Sequence, residues 1–254
     1  FMEMNLTKHA TPVVKFKAIL ILIGFVGCYL MVISNRFSAS VTLFWAVLCG
    51  ILAVMIAMNI GHDAVHNAFF QKRKWNKLAG YAFDLVGMSS YMWRINHNII
   101  HHRFPNVSPV DIELNQSMPY IRFSPWFRRL KLHRYQHLYF PPLYLLFATN
   151  LIFVRDLQDF RIIPKEHSQN IVRKIPVRNY FYLMLSKILY LTYTLFIPLT
   201  VLDFSAGQII AGFLVMQAVM SIFELAIQLP LHVSTLAEIV NIDEQGIIHK
   251  SMTA

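Results

Sequence analysis

Two nearly uncharged apolar runs constrain this chain more than anything else in it. Phe16 to Ile33 and Val41 to Ile60 are 18 and 20 residues long. At about 1.5 Å of rise per residue, some 20 helical residues cross a hydrocarbon layer about 30 Å thick, where every backbone polar group has to be satisfied inside the segment. Ile209 to Leu231 is a third run, polar only near its end, and Tyr180 to Leu202 a fourth, interrupted by Lys187. An isolated ammonium at that depth is expected to snorkel toward the nearer surface. With 56% hydrophobic and 14% charged residues, the composition is that of a membrane protein rather than a soluble one. The expectation is an all-α, multi-pass bundle of about four spans (16–33, 41–60, 180–202 and 209–231). One domain over 1–254 would carry a helical cap formed by residues 61–179.

Charge supplies an orientation. Seventeen of the 23 Lys and Arg residues fall between Gly61 and Asn179, whereas the short connections 34–40 and 203–208 hold only Arg36. Basic residues gather on the cytoplasmic side, which puts both termini and the central region in the cytoplasm. The net charge of +10 is spread along juxtamembrane sequence with no nucleic-acid reader motif, so anionic lipid is the simpler partner and nucleic acid is not expected. Cys28 and Cys49 fall inside spans and imply no disulfide framework.

Chemistry concentrates in two histidine boxes, His62-Asp63-Ala64-Val65-His66 and His97-Asn98-Ile99-Ile100-His101-His102. Residues four apart share a helical face, so His62 with His66, and His97 with His101, can converge on one point. His102 lies about 100° further round and could serve a second metal. An all-imidazole set suits zinc, copper, iron or nickel better than calcium or magnesium. A zinc protease would need glutamate after the first histidine, where Asp63 stands. Asp111, in a proline-rich polar loop with Asn106 and Glu113, is a candidate acceptor for a ligand's second ring nitrogen, with a solvated loop acid as the alternative. His133 and His137 make another i, i+4 pair, but with Arg134 between them they read as interfacial structure. His167 reads as a surface residue. Residues 78–93 are apolar but broken by Asp84, Gly80 and Gly87, and read as an interfacial or re-entrant segment. Glu224, Gln228 and His232 form a polar stripe on the last span, either for helix-to-helix hydrogen bonding or with His232 reaching the metal. No GxGxxG, P-loop or CxxC pattern occurs, so no nucleotide, flavin or iron-sulfur site is expected.

The boxes resemble those of the membrane fatty acid desaturases, in particular the bacterial acyl-lipid or linoleoyl-CoA desaturase-like branch. The resemblance rests on Gly61-His62-Asp63-Ala64-Val65-His66, Ser89-Ser90-Tyr91-x-Trp93, His97-Asn98-x-x-His101-His102 with Asn106 beyond, and His133-Arg134-Tyr135-Gln136-His137-Leu138-Tyr139. It implies a di-iron enzyme that uses dioxygen and two external electrons to place a double bond in a fatty acyl chain. His62, His66, His97, His101 and His102 match its ligands, His232 is a further candidate, and Asp63, Asn106 and Asp111 stand behind them. Electrons would come from a ferredoxin or a cytochrome b5-type donor, and the site would face the cytoplasm of a bacterial inner membrane. The family's third box is not found: the tail Ile248-His249-Lys250-x-x-Thr253 resembles the stretch before it. The expectation is therefore a C-terminally incomplete chain with little or no activity by itself. A lipid or alkane hydroxylase of related chemistry is the nearest rival, and a bis-histidine haem protein or a transporter the rival from other classes.

Overall fold

The structure, a computed structural model, describes residues 8–108, 110–115, 119–123, 127–166, 175–232, 239–242 and 248–249; for 114, 115, 162–166, 229, 231, 232, 241, 242, 248 and 249 it describes the backbone alone. His167 and the tail from Lys250 lie outside the described residues. The chain divides into two compact units, residues 1–90 with 176–220, and residues 91–175 with 221–254.

Four helices are long and apolar enough to cross a membrane: α1 (Pro12–Ile33), α2 (Ala39–Val65), α9 (Val177–Val201) and α10 (Ala206–His232), the last apolar through Gln228. α1 begins four residues before the apolar run because Thr11 caps it, its Oγ1 accepting from Val14 N at 3.4 Å, and Pro12 fits the first turn. Ala18, Ile21, Phe25, Cys28 and Val32 of α1 are buried, while Phe16, Ile19, Ile23, Val26 and Leu30 face outward. Both faces of the helix are thus apolar, and an outward stripe of this kind is stable only against hydrocarbon. The chain is a multi-pass, helical membrane protein.

Within the first unit the spans meet closely and through aromatic rings. A Cβ on Gly50 of α2 would stand 2.9 Å from the Met216 carbonyl oxygen of α10. Tyr29, Tyr190 and Tyr193 pack edge to face, Tyr29 donating to the Tyr193 carbonyl at 2.9 Å and Tyr190 to Gln217 Oε1 at 2.7 Å. The two connections between spans are pinned together: Asn35 Nδ2 donates to Asp203 Oδ2 at 2.6 Å, and Asp203 N donates back to Asn35 Oδ1 at 3.1 Å. Asn35 adopts a left-handed φ of 54°, a conformation its short side chain tolerates.

Lys187 departs from the snorkelling expected of it. Its side chain is buried and its Nζ donates to the Gly87 carbonyl, so a protein acceptor takes the place of the membrane surface. Gly87 can offer that carbonyl because its φ is +86° and because a Cβ there would meet Tyr190 at 2.8 Å. The interrupted segment before it folds as two short helices, α3 (Arg73–Gly80) and α4 (Ala82–Leu85), with Phe83, Val86 and Met88 buried.

In the second unit, α5 (Ser90–Trp93) runs into a π-helical segment, Arg94–Ile100, and a 3-10 turn, His101–Arg103. A short helix α6 (Ile112–Asn115) follows. Next come α7 (Lys131–Tyr144) and α8 (Phe147–Arg161), bent by 76° at their junction and together apolar enough to enter a membrane. Asn96 Nδ2 donates to Asp159 Oδ2 at 2.7 Å, and Ser221 Oγ bridges the bend, accepting from Ala148 N at 2.9 Å and donating to the Leu145 carbonyl at 3.0 Å. Among the described residues, strands form a three-stranded sheet in which β1 (Val107–Ser108) pairs in parallel with β2 (Val240–Ile242), and β2 antiparallel with β3 (Ile248–His249).

Candidate metal centre

The first box forms the last turns of α2. A π turn, Ala57–Gly61, precedes it, and π turns are frequent at functional sites because the inserted residue re-aims the side chains beyond it. Gly61 admits Phe83, whose ring would lie 2.9 Å from any Cβ there. The rings of His62 and His66 stand 4.6 Å apart, side by side as their spacing predicts. The helix stops immediately afterwards because Asn67 turns to φ 56°. Asp63 lies against His62, Oδ1 to Nδ1 at 3.4 Å, and its carbonyl accepts from Ala68 N at 2.8 Å.

The second box departs from α-helical geometry. A π-helix bonds i to i+5, so residues five apart, not four, stand one above the other. Accordingly His97 and His102 come closest, with ring centroids 4.5 Å apart and their Nε2 atoms at 3.2 Å. His97 and His101 stack at 5.5 Å with planes 12° apart. His101 and His102 stand 5.6 Å apart, so the three rings form one cluster. His97 and His101 are buried, and His102 is exposed.

Behind these rings the loop after the second box wraps around Asp111, which is fully buried. Its Oδ2 accepts from Asn106 N at 2.8 Å and its Oδ1 from Glu113 N at 3.0 Å, so backbone amides hold the carboxylate in place. The same Oδ2 meets His101 Nδ1 at 2.9 Å. Asn106 contributes through its backbone, held at φ 59°, and its carbonyl accepts from Val240 N at 3.0 Å. Glu113 is the residue that sequence reasoning left among the loop acids: its Oε1 meets His97 Nδ1 at 2.8 Å and its Oε2 lies 3.5 Å from His101 Nδ1. An i, i+2 pair of acids shortly after a histidine box was the available signal. Burial by itself would lower the pKa of His101, but the Asp111 hydrogen bond and the charges of Glu113 and Asp111 outweigh it and leave it raised from the ordinary value.

The donor atoms of His97, His101 and Glu113 lie within 4.8 Å of one another, a group able to hold an ion. The chemistry of the set assigns roles. A ligating imidazole donates its second ring N–H to a carboxylate, which fixes the tautomer and raises the basicity of the other nitrogen. With Asp111 and Glu113 at the Nδ1 atoms, the Nε2 atoms are the metal side of these rings. Two nitrogens each about 2.0–2.1 Å from one ion stand roughly 3 Å apart when the angle between them is near 100°, and the His97 and His102 Nε2 atoms do so at 3.2 Å. The residues fit a first-row transition metal.

The other sequence candidates are placed as follows. Nδ1 of His133 accepts from Leu130 N at 3.1 Å and its Nε2 donates to the Pro119 carbonyl at 2.8 Å, so both ring nitrogens serve the loop. His137 is exposed on α7. Glu224 of α10 is buried and accepts from Gln228 Nε2 at 2.6 Å, which makes the upper part of the stripe an intrahelical hydrogen bond. His232 ends α10, and its side chain lies outside the described residues.

A fatty acid desaturase family model matches residues 38–238. The chain is 29% identical over 212 residues to an sn-1 linoleoyl-lipid 6-desaturase of Synechocystis sp., covering 84% of this chain and 58% of that protein. It is 32% identical over 157 residues to an acyl-lipid (8-3)-desaturase of Physcomitrium patens, covering 61% of this chain and 33% of that one. It is 28% identical to an sn-1 linoleoyl-lipid 6-desaturase of Arthrospira platensis, over 62% of this chain and 45% of that one. The chain thus spans three fifths or less of the length of these curated relatives. No solved structure matches it. With four apolar spans, two histidine boxes and a family match over most of its length, the chain belongs to the fatty acid desaturase family.

Proposed function

We propose that this chain belongs to an oxygen-dependent acyl-lipid desaturase with two irons held by His62, His66, His97, His101 and His102, and with His232 as a further candidate ligand. The observation that supports this most is the second box, where the buried His97 and His101 back onto Glu113 and Asp111 and the Nε2 atoms of His97 and His102 stand 3.2 Å apart. Iron bound there would supply an oxidant strong enough to break an unactivated C–H bond. The reaction balances as one –CH2–CH2– unit, one dioxygen, two electrons and two protons giving one –CH=CH– unit and two waters.

The protein's own part is orientation. Asp111 and Glu113 hold Nδ1–H of His101 and His97, Asp63 lies beside His62, and the Asn106 amide fixes Asp111. Those acids also place negative charge behind the rings and so strengthen them as donors. The electrons come from a ferredoxin or a cytochrome b5-type donor. The basic central region, placed on the cytoplasmic side of a bacterial inner membrane, suits an acidic donor.

Metal analysis of the purified chain together with fatty acid profiling of cells making the intact gene product tests this reading. Iron in preference to zinc, lost in a His97→Ala/His101→Ala variant, and a new alkene are the expected results. A hydroxy acid as product would replace the desaturase by a hydroxylase, and a Soret band by a haem protein.

A further inference from the structure

Residues 114–155 include six Arg and Lys residues and not one Asp or Glu, more basic residues than any other acid-free stretch of the chain. In the second unit this stretch folds around a cavity of about 680 Å³ lined by Arg122, Arg129, His133, Gln136, His137 and Phe140. Two of these build the walls. His133 is bound at both nitrogens, and Gln136 Oε1 accepts from Arg122 N at 2.8 Å while its Nε2 donates to the Arg122 carbonyl at 3.3 Å. A third is aimed: Arg122 Nε donates to the Phe127 carbonyl at 2.7 Å, which fixes the plane of its guanidinium. Arg129 and His137 make no hydrogen bond or ion pair with any other described residue. The cavity thus offers an oriented guanidinium, a second one and an imidazole, and the described residues of its lining include no carboxylate.

Other positions of the same helix are apolar. Leu132, Tyr139, Pro142, Leu143 and Leu146 with Tyr120 line a separate groove of about 490 Å³. Together α7 and α8 are apolar enough to enter a membrane, and Tyr120, Tyr135 and Tyr139 are the residue type that settles at headgroup level. A segment of this composition meets lipid, and its basic groups meet headgroup phosphates.

We propose that the Arg122–Arg129–His137 cavity binds the phosphate of an anionic phospholipid, whose acyl chain lies along the groove on the apolar face of α7. Guanidinium groups match phosphate oxygens in paired, charge-assisted hydrogen bonds. A ligand-sized concavity beside a hydrocarbon-facing groove fits one amphiphile better than the flat contact of a protein partner. With only cations at the rim, a headgroup bearing net negative charge binds in preference to a zwitterionic one. This inference does not rest on the desaturase reading, because it concerns lipid retention and not double bonds.

Titration of the detergent-solubilised protein with short-chain phosphatidylglycerol and phosphatidylcholine, read by intrinsic fluorescence and by thermal stability, tests it. Phosphatidylglycerol binds at least tenfold more tightly than phosphatidylcholine, and its affinity falls as salt is raised. Arg129→Gln weakens it about tenfold, the effect of one charge-assisted hydrogen bond, and His137→Gln weakens it less, while Arg36→Gln in the connection 34–40 leaves it unchanged. Equal binding of the two lipids, or an Arg129→Gln protein indistinguishable from Arg36→Gln, overturns the proposal. If Arg129→Gln does not fold, His137→Gln decides by the same comparison. Inorganic phosphate and coenzyme A serve as competitors: displacement of the lipid by either at equal concentration would assign the cavity to a soluble phosphate and overturn the lipid, as would displacement by an acidic ferredoxin.

Discussion

Asp111 shows how much a single buried side chain can organise. Its carboxylate accepts from two backbone amides and from His101 Nδ1, so it closes the loop and orients a ring at once. Replacing it by asparagine keeps the shape but sets an NH2 group against at least one of those donors. Asp111→Asn is therefore expected to lower iron affinity about 10- to 100-fold and to lower the melting temperature of the purified protein, measured by metal competition and by thermal unfolding. Glu113 allows a sharper test. If it orients His97, Glu113→Gln keeps an acceptor at Oε1 and costs less than about tenfold in affinity. A loss as large as that of His97→Ala would instead make Glu113 a ligand.

At the scale of elements, the departures from α-helix matter most. A regular helix would have paired His97 with His101; the π register pairs it with His102 instead and brings three rings together. The spans depend on backbone approach at one point and not at another, and this can be measured. Gly50→Ala forces a Cβ against the Met216 carbonyl and is expected to cost about 1–3 kcal/mol. Gly27→Ala, in α1 with nothing within 4 Å of the new Cβ, is expected to gain about 0.5–1 kcal/mol from helix propensity. Thermal unfolding of the two variants in the same detergent should move in opposite directions.

For the whole molecule, the distribution of basic residues makes a prediction about sidedness. Cys28 and Cys49 are buried in spans, so a cysteine-free background requires only those two replacements. In that background Ser38→Cys and Ser205→Cys should react with a membrane-impermeant maleimide added to intact cells. Lys74→Cys should react only after the membrane is opened. Labelling of Lys74→Cys in intact cells would invert the orientation and remove the basis for a cytoplasmic electron donor.

Sequence alone determined the four spans to within a few residues, the membrane setting and the two boxes, because hydrocarbon admits few backbone arrangements and helical spacing is a local property. It also offered Asp111 as an acceptor behind a histidine ring, with a solvated loop acid as the alternative. Tertiary structure alone decided the rest. That Lys187 meets the Gly87 carbonyl depends on residues a hundred positions apart coming together. That Glu113 stands behind His97, and that His102 faces His97, depends on a π register with no period in the sequence to announce it. The cavity at Arg122 and Arg129 is of the same kind: the charges were visible in the chain, but only the fold around α7 gathers them into one lining beside a separate apolar groove.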